Sequence, residues 1–156
     1  MSAEDNKALI REIIEDVWNK GDLAAVDRYF APDYVDHTPF PGQGPGAEGY
    51  RQAVAAIRDA FPDLHLTLED ILSEGDKAAF RYTMQGTHQG PFMGMPPSGK
   101  PFSVTGMIIA RVAEGKAVER WANLDTLGLM QQLGAIPSPG QQQPRDTLSS
   151  GQEPTY

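Results

Sequence analysis

No cysteine occurs anywhere in the 156 residues, which excludes disulfides, thiolate metal sites and a cysteine nucleophile together. Basic residues are scarce as well: 13 Lys and Arg stand against 21 Asp and Glu, for a net charge of -8. Nucleic-acid binding by phosphate neutralisation needs such residues clustered, and here they are scattered, so no nucleic-acid partner is expected. The acidity speaks mainly of solubility and disfavours strongly anionic ligands. No apolar run approaches the roughly 20 residues of a membrane span. The N-terminal "MSAEDNKALIREI" has no basic segment leading into an apolar core, so no membrane partner and a cytoplasmic location are expected.

A chain of 17.0 kDa with 40% hydrophobic residues is the size of one domain with one core. In its first third, Leu9, Ile10, Ile13, Ile14, Val17 and Trp18 recur in adjacent pairs, predicting an amphipathic helix from Glu4 to Lys20, capped by Ser2 and ended by Gly21. A shorter helix capped by Asp22 runs to about Phe30, "DYVDH" reads as a short extended piece, and "TPFPGQGPG" is a loop. A third helix is predicted from Ala47 to Phe61, stopped by Pro62.

The period then changes from 3.6 to 2. "DLHLTLEDIL" and "KAAFRYTMQG" alternate apolar and polar side chains across a turn at Glu74-Gly75-Asp76, and "PFSVTGMIIARV" and "KAVERWANL" do so across Glu114-Gly115. Four strands in two hairpins predict an antiparallel sheet. Between the hairpins "GTHQGPFMGMPPSGKP" is too rich in Gly and Pro for a strand, yet Phe92, Met93 and Met95 need burial, so it reads as a flap over the sheet. A last helix is expected from Thr126 to Leu133. Residues 137–156, rich in Pro, Gln and Ser, have the composition of a flexible tail, leaving 1–136 as the folded domain. Helices followed by a meander give an α+β class, with helices packed on a curved antiparallel sheet that encloses a pocket.

Two motif matches fail on mechanism. "GPGAEG" (44–49) fits the dinucleotide fingerprint, but no strand precedes it and Pro45 removes an amide that should face the pyrophosphate. "GMPPSGK" (94–100) resembles a phosphate loop, but Pro96 and Pro97 have no N–H to offer and Pro101 stands where a magnesium-binding hydroxyl belongs. His37, His65 and His88 show no metal-ligand spacing, so neither metal nor cofactor is expected. His65 belongs on a solvated strand face, while His37 and His88 flank the irregular loops and could line a cavity mouth.

The stretch "VERWANLD" (118–125) carries the main functional question. Simple alternation sets Glu119, Trp121, Asn123 and Asp125 on one side and Val118, Arg120, Ala122 and Leu124 on the other. Asp125 has two readings, an N-cap for the last helix or a pocket carboxylate. Trp121 is either packing or a flat wall for an aromatic ligand, and Asn123 either a strand-end hydrogen bonder or a pocket amide.

"FAPDYVDH", "FPDLHLTLEDIL", "GTHQGPFMGMPPSGKPF" and "GKAVERWANLDTLGLMQQLG" together resemble the SnoaL-like ester cyclases of the nuclear transport factor 2-like fold, over residues 5–136. The resemblance implies a cone-shaped sheet wrapped round a pocket and a homodimer formed through the sheet. It turns the Trp121, Asn123, Asp125 side inward and gives Asp125 the acid/base role in an intramolecular aldol closure of a hydrophobic polyketide ester, with no cofactor. A carboxylate in an apolar box has its pKa raised towards neutrality, which suits that role. Further polar groups should polarise the carbonyl. The strand "GMIIARV" offers Met107 and Ile109 on the parity of Arg111, and Tyr34, His37 and His88 are the other candidates, with Phe92 from the flap against the substrate. On the same fold, epoxide hydrolysis, isomerisation or ligand binding without turnover are the alternatives. An Asp-Arg-Asp network around Arg111 and Asp125 would favour the first.

Overall fold

The computed structural model describes residues 2–137. The expected tail beyond Pro137 lies outside the described residues.

Helix α1 (Ala3–Glu12) opens on a reciprocal cap: the Ser2 hydroxyl accepts from the Asp5 amide at 3.1 Å, and the Asp5 carboxylate accepts from the Ser2 amide at 3.0 Å. These bonds satisfy donors that a helix start otherwise leaves to water. The helix runs on as predicted, but Ile13–Asn19 widens into a π-helix, closed by the Lys20 amide donating to the Glu15 carbonyl at 2.9 Å. The wider turn draws Ile13, Ile14, Val17 and Trp18 into a narrower arc than an α-helix would, and all four are buried. A 3₁₀ turn (Leu23–Ala25) and the single turn α2 (Val26–Tyr29) replace the expected second helix.

The chain then passes directly into β1 (Phe30–Asp36), which pairs in parallel with β5 (Lys116–Leu124), Asp36 opposite Arg120. The "DYVDH" piece is thus a fifth strand, and the sheet is mixed, in the order β1-β5-β4-β3-β2. Its partner is remote in sequence and no local turn announces a parallel pair. The two predicted hairpins are present: β2 (His65–Glu74) with β3 (Lys77–Thr87), and β4 (Pro101–Ala113) with β5. Helix α3 (Gly46–Ala60) lies against β1, and α4 (Thr126–Gln132) follows β5. A Cβ at Gly49 would strike the Gly44 carbonyl oxygen, so glycine is what lets the 38–45 loop close on the first turn of α3.

Helices cover the concave face of the curved sheet, and the core fills the space between. Phe61, at the end of α3, sits 4.9 Å from Phe92 of the flap and 4.6 Å from Phe102 of β4, ring centre to ring centre. Each buried phenylalanine stabilises by about 1.5–3 kcal/mol, which fastens the flap to helix and sheet. The flap also carries a small bridge, Phe92 to Met95, and ends on paired backbone bonds between His88 and the Gly99-Lys100 segment.

One irregularity in β5 decides the site. Arg111 pairs with Glu119, but the next residue, Val112, pairs with Ala117, leaving Val118 as the extra residue of a β-bulge. A bulge flips the alternation downstream of it. Ala117 and Arg120, three positions apart, therefore both point inward, followed by Ala122 and Leu124, while Trp121 turns outward. The expected inward side of "VERWANLD" is the outer side.

Candidate functional site

Between the helices, the flap and the sheet lies a cavity of about 370 Å³. Its wall is largely aliphatic and aromatic, from Ile13 and Trp18 of the first helix through Phe80 and Met84 of β3 to Phe92 of the flap. Into this apolar lining β5 inserts Arg120, only 7% exposed. The Asp36 carboxylate approaches its Nη2 to 3.0 Å, and its Nε has no hydrogen-bond partner among the described residues. Asp36 is itself held from behind, accepting from the Thr38 amide at 3.0 Å and from Gln43 Nε2 at 3.0 Å. The parallel pairing of β1 with β5 sets these two residues opposite each other.

Burial pushes the Asp36 pKa up, but the Arg120 charge and the hydrogen bonds outweigh it and hold the carboxyl below the usual carboxylate range. Burial likewise works against the Arg120 charge. The facing Tyr50 and Tyr34 and the Asp36 carboxylate outweigh it and raise its pKa. The pair therefore stays ionised, with its cationic end on the cavity wall and the Asp36 carboxylate outside the lining.

Beside Arg120, three tyrosines add hydroxyls to a wall whose other polar side chains are Thr38, Asn123 and Thr126. The Tyr50 ring lies 5.2 Å from the Arg120 guanidinium carbon, and Trp18 Nε1 donates to its hydroxyl at 2.8 Å. That bond leaves the phenol's own proton free. Tyr34 packs edge-on against Tyr50 at 5.4 Å, and neither Tyr34 nor Tyr82 has a hydrogen-bond partner for its hydroxyl among the described residues. Burial pushes all three phenols up, Tyr50 to about 12. Among the described residues, the side chains lining the cavity include no carboxylate, imidazole or ammonium group.

The candidates from sequence divide between wall and exterior. Tyr34 and Phe92 are on the wall, and Asn123 reaches the rim from an exposed position. Asp125 is exposed and does not line the cavity; its Oδ1 accepts from the Gly128 amide at 2.9 Å and caps α4, the first of its two readings. Met107, 65% exposed, and Arg111 lie on the outer face of the sheet, where Arg111 Nε donates to Glu119 at 2.5 Å. Trp121 is outside too, with the His37 ring stacked flat on it at 4.6 Å and His37 Nε2 2.7 Å from Glu119. His88 is buried but off the lining, its Nδ1 accepting from the Ser98 hydroxyl at 2.9 Å and the Ser98 amide at 3.2 Å. Among the described residues, no Asp-Arg-Asp network forms around Arg111 and Asp125. The alternation from Glu119 to Leu124 runs as expected, and so does its pairing with Met107, Ile109 and Arg111; the inward side is reversed because Asp125, through which the resemblance assigns it, lies beyond the end of β5 and caps α4.

Sequence reading missed Arg120, Asp36, Tyr50 and Tyr82 as site residues. The available signal was Arg120 standing in register with Ala122 and Leu124, an isolated charge on an apolar stripe.

A family model described as SnoaL-like polyketide cyclase matches residues 8–133. The nogalonic acid methyl ester cyclase of Streptomyces nogalater is 29% identical over 120 residues, 75% of this chain and 89% of that protein. The aklanonic acid methyl ester cyclase of Streptomyces peucetius is 28% identical over 132 residues, 81% and 88% of the respective chains. Among solved structures, TsrD from Streptomyces laurentii matches with a TM-score of 0.80 and 35% identity, covering 87% of this chain and 99% of its own.

Proposed function

The chain belongs to the SnoaL-like polyketide cyclase family, and from that premise we propose that its cavity closes a ring in a flexible, hydrophobic substrate bearing several carbonyl groups. One observation carries the reading: a buried guanidinium with three phenols stands on the wall of a largely apolar cavity. In an aldol closure the enolate carbon attacks a carbonyl carbon of the same molecule and the carbonyl π electrons move onto oxygen. The alkoxide regains the proton lost on enolisation, so the product is an isomer of the substrate and no cofactor takes part. Arg120 and the Tyr34 hydroxyl are placed to donate to the oxygens on which negative charge grows. Donors fixed in a water-poor site are worth about 10²–10³ in rate each. The apolar wall supplies the remainder by folding the chain into a reactive pose.

Asp125, spent on its cap and facing solvent, has no part in this scheme. The relatives' names point to polyketide methyl esters as the substrate class. The outer sheet face carries Leu72, Met107, Ile109 and Trp121, all exposed. Ile109 pairs with both Ala79 and Trp121, so an apolar row crosses three strands, and we assign it to a homodimer formed through the sheet. We assign the enzyme a cytoplasmic location as part of the same proposal. No described helix is long and apolar enough to cross a membrane.

The test is incubation of the purified protein with aklanonic or nogalonic acid methyl ester, followed by chromatography and mass detection. The expected product has unchanged mass and a new ring, and Arg120→Met lowers kcat/KM by about 10²–10³-fold. Saturable binding of these esters with no isomer formed would reject catalysis and leave a binding module.

A further inference from the structure

Among the described residues, the groups on the cavity wall that could exchange a proton are Arg120, Tyr34, Tyr50 and Tyr82, and each is held in its protonated form. Each can donate a hydrogen bond and none can accept a proton near neutral pH. Asp36 does not supply the missing base, because it lies outside the lining with Arg120, Gln43 and the Thr38 amide arranged around it. A cavity with a cation, hydroxyl donors and no base cannot strip a carbon acid, but it can hold the anion once formed.

We propose that the cavity is a receptor for a delocalised organic oxyanion, the preformed enolate of a 1,3-dicarbonyl compound, bound through Arg120 and the Tyr34 and Tyr82 hydroxyls. This rests on the cyclase reading for its biological setting but not for its chemistry. A 1,3-dicarbonyl is acidic enough to lose its central proton to water or buffer before it enters. The enolate spreads one negative charge over two oxygens, which matches several separate donors better than one point charge would. Such a charge is also less costly to desolvate than a carboxylate, as an apolar wall requires. Enzyme activity then follows the ionisation of the substrate and shows no rising limb from a protein carboxylate.

The experiment uses 1-phenylbutane-1,3-dione, whose enolate and neutral forms differ in ultraviolet absorption. Titrating it from pH 6 to 10 with and without the full-length protein gives its pKa bound and free. Arg120 and the phenols should lower the bound pKa by at least one unit, equivalent to about tenfold tighter binding of the enolate, and the 2,2-dimethyl analogue, which has no proton between its carbonyls and cannot form the 1,3-dicarbonyl enolate, should bind more weakly. Since Arg120→Met alone leaves Asp36 unpaired, the paired variant Asp36→Asn/Arg120→Met removes both charges, and a circular-dichroism melt checks that it folds. In the folded paired variant the pKa shift should be lost. An unshifted pKa, failure of the probe to bind the wild type at any pH, or a shift that survives in the paired variant overturns the proposal. If polyketide esters are not cyclised while the probe still binds as its enolate, the cyclase reading fails and this one stands. Cyclisation with an unshifted probe pKa overturns this one alone.

Discussion

The Asp36–Arg120 pair makes a quantitative prediction about stability. The two side chains are 5% and 9% exposed and 3.0 Å apart, and the approach is fixed by backbone pairing of β1 with β5. Cutting Asp36 back in Asp36→Ala leaves a guanidinium in an apolar wall with its counter-charge gone. Breaking a buried pair from one side costs about 3–5 kcal/mol, and the lower end, about 3 kcal/mol, applies because Arg120 can turn its freed Nη2 towards the cavity. With a urea slope near 2 kcal/mol per M, the unfolding midpoint should fall by about 1.5 M. Arg120→Met should cost a similar amount by stranding Asp36. The pair removed together, Asp36→Ala/Arg120→Met, should lose much less than the sum, because neither charge is left uncompensated. Stability also depends on pH. The folded Asp36 pKa lies below its unfolded value, so its contribution is complete above about pH 4 and is lost as pH falls through the lower, folded pKa. Urea titrations of the four proteins at pH 7 and near pH 3 measure all of this. Single losses that add within about 0.5 kcal/mol, or a coupling that grows on acidification, would refute the placement of the pair.

The remaining predictions concern separate parts of the molecule. Tyr34→Phe removes one donor from the wall without changing its shape, and should lower kcat/KM by about 10²-fold or more with the melting temperature unchanged. Asp125→Asn keeps the cap on α4 and should leave turnover and stability unchanged, whereas Asp125→Ala should cost about 1 kcal/mol of stability and still leave turnover intact. A tenfold loss of turnover in the Asn variant would return Asp125 to the chemistry. Ile109→Glu sets a charge in the outer apolar row, and in size-exclusion chromatography it should elute as a monomer where the wild type elutes as a dimer. Gly49→Ala forces a methyl group against the Gly44 carbonyl, and should lower stability by about 1–3 kcal/mol, seen as an earlier thermal transition.

Much of this architecture was legible from local pattern. The Leu9-to-Trp18 stripe, the alternation in "KAAFRYTMQG", the Gly turns between strands and the buried Phe92 of the flap each act through near neighbours, and each was found where its period placed it. Tyr34 was named from sequence and stands on the cavity wall. The active face of β5 was not legible. Alternation sorts residues 119–124 into the two sides that the structure shows, but the resemblance sets the inward side through Asp125, and the structure turns Arg120, Ala122 and Leu124 to the cavity instead. The bulge at Val118 leaves little trace in composition, so a buried Ala117 gives no guide to the face that follows it.

The sequence by itself determined the class of fold, the two hairpins, the starts of the first, third and last predicted helices and an overall acidity of -8, because these depend on residues close in the chain or on sums over it. Only the tertiary structure decided the sign of charge inside. The acidic total belongs to the surface, where water screens it, and the cavity sees instead one arginine that a parallel strand from the other half of the chain holds in place through Asp36. Electrostatics is strong where water is excluded, and which groups water is excluded from is a property of the folded sheet alone.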